Sequence, residues 1–331
     1  MSKINDFLLS FNPGYSDLVQ LAESGSGRSY YRFKAEDKTY VLTESEDISE
    51  NESFFYLSEL FQNLNGLVPK VLKINSNKDL YIQEDLGDIS LLELKLKDDT
   101  NTSSLYEQAV KKLAHLQIGA HQVIDYNQVY GFSSFDKILV LRDLFYFKDY
   151  FLDLINLDYS QTELLQEFDQ IAEAIVQTHY RFFMFRDFQG RNILIKDNKT
   201  YFIDYQDGME GPIAYDLVSL LWQAKANLTI EEKDSLYSIY TSELKKLLPN
   251  RFNSSEFKQD YHICLLIRLL QVVGAYGKLG FIQNKTHFRD SLALGIENLN
   301  QIAEMGIIDK FPTLKNICSS LNLTHIPKNN I

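Results

Sequence analysis

Apolar spacing changes period near residue 85, and that change limits the folds open to this chain. Up to that point apolar and polar residues mostly alternate, the two-residue period of half-buried strands. Strands are expected over Asp17–Glu23, Ser29–Ala35, Thr39–Thr43, Val71–Asn75 and Asp79–Gln83. A Gly/Ser-rich turn separates the first two, and the polar turn Glu36-Asp37-Lys38 separates the next two. The spacing of Phe54, Phe55, Leu57, Leu60, Phe61 and Leu64 predicts one amphipathic helix over Ile48–Leu64. The segment Glu84-Asp85-Leu86-Gly87-Asp88 breaks the pattern, and helical periods dominate beyond it. Helices are expected over Ser104–His121, Phe135–Leu157, Glu163–Tyr180, Asp216–Ala226, Ile230–Leu248, Glu256–Tyr276 and Lys285–Met305. One β-like insertion interrupts them, Asn192–Ile195 and Tyr201–Asp204, joined by Lys196–Thr200. The expected class is α+β: a small β-rich lobe over 1–86, and a large, mostly helical lobe over 87–331 with one embedded hairpin.

Charge and cysteine usage narrow the partners. With 33 Lys and Arg against 45 Asp and Glu, the net charge is −12, which argues against non-specific binding to nucleic acid or an anionic membrane. Two cysteines, Cys264 and Cys318, lie far apart in helical stretches and read as buried free thiols of a reduced compartment. The start, MSKINDFLLSF, has neither a leader's apolar core nor a small-residue cleavage site, and no run is expected to span a membrane. A cytoplasmic protein is expected. The six histidines are scattered without ligand spacing and read as core or surface residues.

Chemistry concentrates in Phe185-Arg186-Asp187-Phe188-Gln189-Gly190-Arg191-Asn192, the following apolar strand, and Tyr201-Phe202-Ile203-Asp204-Tyr205-Gln206-Asp207. Phosphoryl transfer from ATP needs a carboxylate to orient a hydroxyl and take its proton. It also needs hard oxygen ligands that hold Mg²⁺ against the phosphates. A loop with an acid at its start and an amide at its end, running into a hairpin that delivers a second acid, meets both needs. Asp187 is then the base, and Asn192 and Asp204 are the metal ligands.

These residues resemble the catalytic core of the protein-kinase-like small-molecule phosphotransferases, the group of aminoglycoside phosphotransferases and choline kinases. The resemblance covers most of the chain. The string from Ile203 through Asp207, Gly211-Pro212 and Asp216 to Leu221 is similar to the subgroup that phosphorylates the anomeric hydroxyl of N-acetylmuramate and N-acetylglucosamine in bacterial cell-wall recycling. So are Asp187…Arg191-Asn192, Gly27-Arg28-Ser29-Tyr30-Tyr31-Arg32 and Asp85-Leu86-Gly87. The resemblance implies a bilobal kinase-like fold and an ATP- and Mg²⁺-dependent enzyme. Glu84–Gly87 would be its interlobe connector, whose backbone (Glu84, Leu86) meets adenine, and Arg191, Gln189 and Asp207 would face the substrate.

Other positions keep two readings. Small residues in Ser24-Gly25-Ser26-Gly27 let backbone N–H groups approach phosphate, and the same composition suits a plain hairpin turn. Arg28 and Arg32 can each reach phosphate or sit in solvent. Asp216 either caps a helix or, as the resemblance implies, braces the catalytic loop. The aromatic run Leu144–Leu152 suits burial or, with Arg142 beside it, sugar stacking. Three departures stand out. Tyr40-Val41-Leu42-Thr43 lacks the third-strand lysine of protein kinases, which makes Arg28 the first candidate cation. Phe185 replaces a histidine before the loop. Gln206 stands where protein kinases carry glycine, which removes any activation switch of their type. The expected activity is phosphorylation of an N-acetylated amino sugar; the alternatives are an aminoglycoside, choline or other alcohol kinase, and a non-catalytic kinase-like binding module.

Overall fold

The computed structural model describes residues 2–22, 27–99, 101–155 and 157–325. The chain divides into two compact units, one of Met1–Ser133 and Phe185–Met209, the other of Ser134–Met184 and Glu210–Ile331.

The first unit contains helix α1 (Ser2–Phe11), strands β1 (Ser16–Gln20), β2 (Ser29–Ala35) and β3 (Lys38–Glu44), helix α2 (Ile48–Asn63), strands β4 (Val71–Ile74) and β5 (Leu80–Glu84), and helices α3 (Leu91–Leu96) and α4 (Thr102–His121). Its sheet is antiparallel throughout, in the order β1-β2-β3-β5-β4. Helix α1 was not expected, although Ile4, Phe7, Leu8 and Phe11 recur at helical spacing. It covers one sheet face, where Phe7 and Leu8 join Phe33, Ala35, Leu42, Leu80 and Ile82 in one core. Tyr81 points to the opposite face, its ring 5.3 Å from Phe54 and 5.0 Å from Phe55 of α2. Strand β5 is thus buried on both sides, the natural state of a central strand.

The second unit takes up α5 (Lys137–Tyr150), α6 (Gln161–Val176) and β6 (Arg181–Met184); the chain then returns to the first for the hairpin β7 (Ile193–Lys196) and β8 (Lys199–Phe202). Strand β9 (Met209–Pro212) pairs with β6 and leads to α7 (Ala214–Leu221), α8 (Ile230–Leu247), α9 (Ser254–Gly277), α10 (Thr286–Glu304) and α11 (Pro312–Ser320). Helix α9 is the axis of this unit. A Cβ at Gly277 would lie 2.0 Å from the Tyr150 carbonyl oxygen, so only glycine lets α5 approach so closely. Ser254–Ile282 is long and apolar enough to span a membrane by composition alone, contrary to expectation; its 61% buried window marks it as the unit's core helix. Cys264 and Cys318 are buried free thiols, as expected.

Boundaries differ from expectation where short apolar runs hide. The single helix expected over Phe135–Leu157 stops at Tyr150, because Phe151 leaves helical geometry at φ −134°, ψ −63°, and a short 3-10 turn follows. The one expected over Glu163–Tyr180 stops at Val176 and gives way to β6, a four-residue strand that periodicity cannot separate from a helix. The one expected over Asp216–Ala226 runs from Ala214 to Leu221. Asp216 does not cap it: Ile213 holds the N-cap position, and Asp216 is fully buried inside the first turn. Phe147 and Phe151 of the aromatic run are core residues, and Arg142 pairs with its neighbour Asp143 at 3.3 Å.

The site is positioned by an aromatic stack within the first unit. Phe61 of α2 lies 5.4 Å from Phe185 in parallel and 5.2 Å from Tyr205 edge-on, while Phe54 stacks on Tyr205 at 5.4 Å. Phe185 and Tyr205 bracket the loop and hairpin, so α2 carries both. Phe61 is fully buried, and Phe61→Ala should lower unfolding stability by about 3–5 kcal/mol. Leu9→Ala, at a largely exposed position of α1, should change it by no more than about 0.5 kcal/mol in the same urea titration.

Candidate active site

The loop after β6 turns back sharply. Arg186 takes a left-handed φ of 71° and Asp204, past β8, one of 64°. Such backbone costs about 1 kcal/mol or more at a non-glycine residue and persists where the surroundings hold it. Phe185 supplies the packing, 2% exposed between Phe61 and Phe188, so an aromatic ring serves where a histidine is usual.

Hydrogen bonds then close the loop onto the hairpin. The Gln189 N–H donates to the Asp187 carbonyl at 2.9 Å, the Asn192 N–H to the Gln189 carbonyl at 2.8 Å, and the Ile203 N–H to the Asn192 carbonyl at 3.0 Å. Asn192 Nδ2 donates to the Asp187 carbonyl at 2.9 Å and to Asp204 Oδ2 at 3.0 Å. Asp187, Asn192 and Asp204 are therefore brought together, as the sequence leads one to expect. The Asp187 carboxylate accepts from Gln189 Nε2 at 2.5 Å and from Arg191 at 2.7 Å.

Asn192 and Asp204 line a cleft of about 670 Å³ within the first unit, and Asp187 is joined to it through Asn192 and Arg191. Arg28, Glu84, Leu86, Arg191, Asp204 and Asp207 line it together with Asn192, whereas Asp187 and the Gln189 that donates to it are not among the lining residues. Gly27 is exposed, with open space where a Cβ would be; Ser24, Gly25 and Ser26 lie outside the described residues. Arg28 is not a solvated surface side chain. It is 7% exposed and pairs with Glu50 of α2 at 3.0 Å. Its Nε is buried without a hydrogen-bond partner among the described residues. Arg32, on the same sheet face, is committed to the connector instead, at 2.8 Å from Asp85 and 2.7 Å from Asp88. Glu84 pairs with Lys196 at 3.0 Å. Leu86 is buried, and among the described hydrogen bonds its N–H and carbonyl are not used.

Two further residues join the site that the sequence does not assign to it. Glu50, three positions after the Asp47 cap of α2, joins Arg28 to Gln206 Nε2, the latter at 3.2 Å. Gln206 Nε2 also donates to Asp204 Oδ1 at 3.0 Å. Opposite charges that close tertiary contacts leave no local signature, so Glu50 was not findable; Gln206 stood in plain view, inside the string that carried the resemblance.

The donor set suits a hard divalent cation. Both N–H groups of Asn192 are taken, which leaves Oδ1 as an acceptor beside the exposed Asp204 carboxylate. One amide oxygen and one carboxylate, with waters and phosphates to complete the shell, is how Mg²⁺ binds. Among the described residues no cluster of three His, Cys, Asp or Glu side chains offers a closed metal site of another kind.

Desolvation pushes the Asp207 carboxyl up from 3.8 to about 6, and the negative charges of Glu50 and Asp204 add to it. An acid whose folded pKa is raised weakens the fold once pH exceeds its unfolded value, fully so above the folded one. In metal-free buffer, Asp207→Asn should raise the urea midpoint above wild type at pH 7.5. The gain should shrink as pH falls through 6 toward 4; a gain constant with pH contradicts the shift.

Comparison with known proteins places the chain in a family. Residues 18–245 match the model of a family described as the phosphotransferase enzyme family. The chain is 24% identical over 297 residues to an N-acetylmuramate/N-acetylglucosamine kinase of Neisseria meningitidis serogroup B, covering 87% of this chain and 86% of that protein. It is 24% identical over 209 residues to one of the same name from Pseudomonas aeruginosa, covering 62% of this chain and 59% of that one. Among solved structures, a choline kinase from Cryptosporidium parvum shares the fold with a TM-score of 0.64 at 15% identity, over 95% of this chain and 99% of that one.

Proposed function

The chain belongs to the phosphotransferase enzyme family, as a small-molecule kinase, and from that premise we propose that it transfers the γ-phosphate of ATP, with Mg²⁺, to the anomeric hydroxyl of an N-acetylated amino sugar. The observation that carries the reading is the convergence of Asp187, Asn192 and Asp204 through one carboxamide. The names of the curated relatives support the sugar class. On this reading 1–86 is the nucleotide-phosphate lobe of a cytoplasmic enzyme, and 87–331 carries the catalytic loop and substrate pocket.

Each residue has a task that its surroundings suit. Asp187 accepts the proton of the attacking hydroxyl through a carboxylate oriented by Gln189 and Arg191. Arg191, half-exposed on the cleft, releases Asp187 to meet the sugar or the charge developing on the phosphate. Asn192 Oδ1 and the Asp204 carboxylate hold Mg²⁺, whose contribution is neutralisation of phosphate charge. Arg28, pinned by Glu50, stands in for the absent strand lysine. Leu86 offers its N–H and carbonyl to the edge of adenine, with Val41, Leu194 and Ile203 as apolar walls. Asp207, beside Asp204, faces the sugar.

Carboxylates at the cleft also suit a cationic alcohol, and the likeness to a choline kinase keeps that reading in view. An acceptor panel separates them. The account expects ATP consumption with N-acetylmuramate or N-acetylglucosamine, an acid-labile reducing-end phosphate, and no reaction with the 1-O-methyl sugar. Turnover of choline or an aminoglycoside alone contradicts the sugar assignment, and no turnover with any acceptor favours a binding module. Asp187→Asn should cut kcat by at least about a hundredfold while ATP affinity by calorimetry stays within about twofold; a near-normal rate at saturating Mg-ATP excludes Asp187 as the base.

A further inference from the structure

Gln206 has no part in the chemistry above, yet its side chain sits at the centre of the polar network. It is 5% exposed, and its Nε2 donates to Asp204 Oδ1 at 3.0 Å and to Glu50 Oε1 at 3.2 Å. Glu50 pairs with Arg28 at 3.0 Å, and Asp204 accepts from Asn192 Nδ2 at 3.0 Å. One amide therefore joins the buried cation before β2 to the acid that follows β8.

The orientation of that amide is dictated by its neighbours. Gln206 Oε1 is buried and has no hydrogen-bond partner among the described residues. An unmatched buried acceptor is costly and needs an explanation. Turning the amide over would not relieve it, because the carbonyl oxygen would then face two carboxylates. The two acids thus hold the N–H groups toward themselves, and the N–H groups hold the acids in place. The backbone beneath is rigid: the Gln206 carbonyl accepts from Ser53 Oγ at 2.6 Å, and Tyr205 meets Ser58 at 2.7 Å.

We propose that Gln206 is a positioning residue that couples the phosphate-facing Arg28 to the metal-binding Asp204, by holding Glu50 and Asp204 in fixed mutual orientation. The inference rests on the proposed reading of Asp204 as a metal ligand. Without the amide, two carboxylates face each other with no donor between them, and Asp204 no longer points where a cation needs it.

Metal affinity tests this without turnover. Mn²⁺ is titrated into the full chain with saturating AMP-PNP and followed by electron paramagnetic resonance; AMP-PNP affinity in EDTA is read by calorimetry. Gln206→Met should weaken Mn²⁺ binding about tenfold or more, with metal-free AMP-PNP affinity within about twofold. In a cycle with Glu50→Ala, the double variant should lose little more Mn²⁺ affinity than the worse single one, because both changes cut one chain of bonds. Additive losses, or unchanged Mn²⁺ affinity in a folded variant, overturn the proposal. Should Gln206→Met fail to fold, Gln206→Asn, too short to span both acceptors, is measured with the same expectations. Wild-type protein that binds AMP-PNP but no Mn²⁺ overturns the metal-site reading itself, and the inference with it.

Discussion

Both amide hydrogens of Asn192 are committed, one to the Asp187 carbonyl and one to the Asp204 carboxylate, and the arrangement of the site depends on that bracket. Loop 185–192 runs directly into the β7–β8 hairpin, and left-handed backbone at Arg186 and Asp204 marks the two ends of this stretch. A carboxamide that is 9% exposed, with competing water largely excluded, makes two hydrogen bonds strong enough to hold those ends together. The same commitment leaves Asn192 Oδ1 free as an acceptor, so the structural role of one end of the side chain sets the chemical role of the other.

Beneath the bracket, packing explains why the polar residues meet at all. The sheet is covered on one face by α1 and on the other by α2, and the ring faces of Phe54 and Phe61 carry Tyr205 and Phe185. Polar groups then project from a floor of close-packed rings, where few rotamers are open to them. From the same helix Glu50 reaches Arg28, Ser53 reaches the Gln206 backbone, and Ser58 reaches the Tyr205 hydroxyl. Helix α2 is thus a scaffold on its apolar side and part of the site on its polar side.

Legibility in the sequence followed the range of the interactions. The central sheet strands, α2 and the hairpin were readable because each is a local periodic pattern, and the α+β class follows from them. Asp187, Asn192 and Asp204 were readable because 18 positions of chain hold the whole constellation, with spacing set by one loop and one turn. Glu50 was not, since its partners Arg28 and Gln206 are 22 and 156 positions away and meet it only in the folded state. Strands β6 and β9 span four residues each, shorter than either period needs to declare itself. The fate of Arg28 and Arg32 was half legible: the strand pattern lets either reach phosphate, but burial against Glu50 and capture by Asp85 and Asp88 are tertiary outcomes.

The account stands or falls on where a divalent cation binds. Crystals of the full chain grown with AMP-PNP and Mn²⁺, with anomalous differences recorded at the manganese edge, give that position directly. The account predicts a peak within coordination distance of both Asn192 Oδ1 and an Asp204 carboxylate oxygen, also touching nucleotide phosphate. Nucleotide bound with its manganese held by other residues, or with Asn192 and Asp204 turned away from it, would contradict the account.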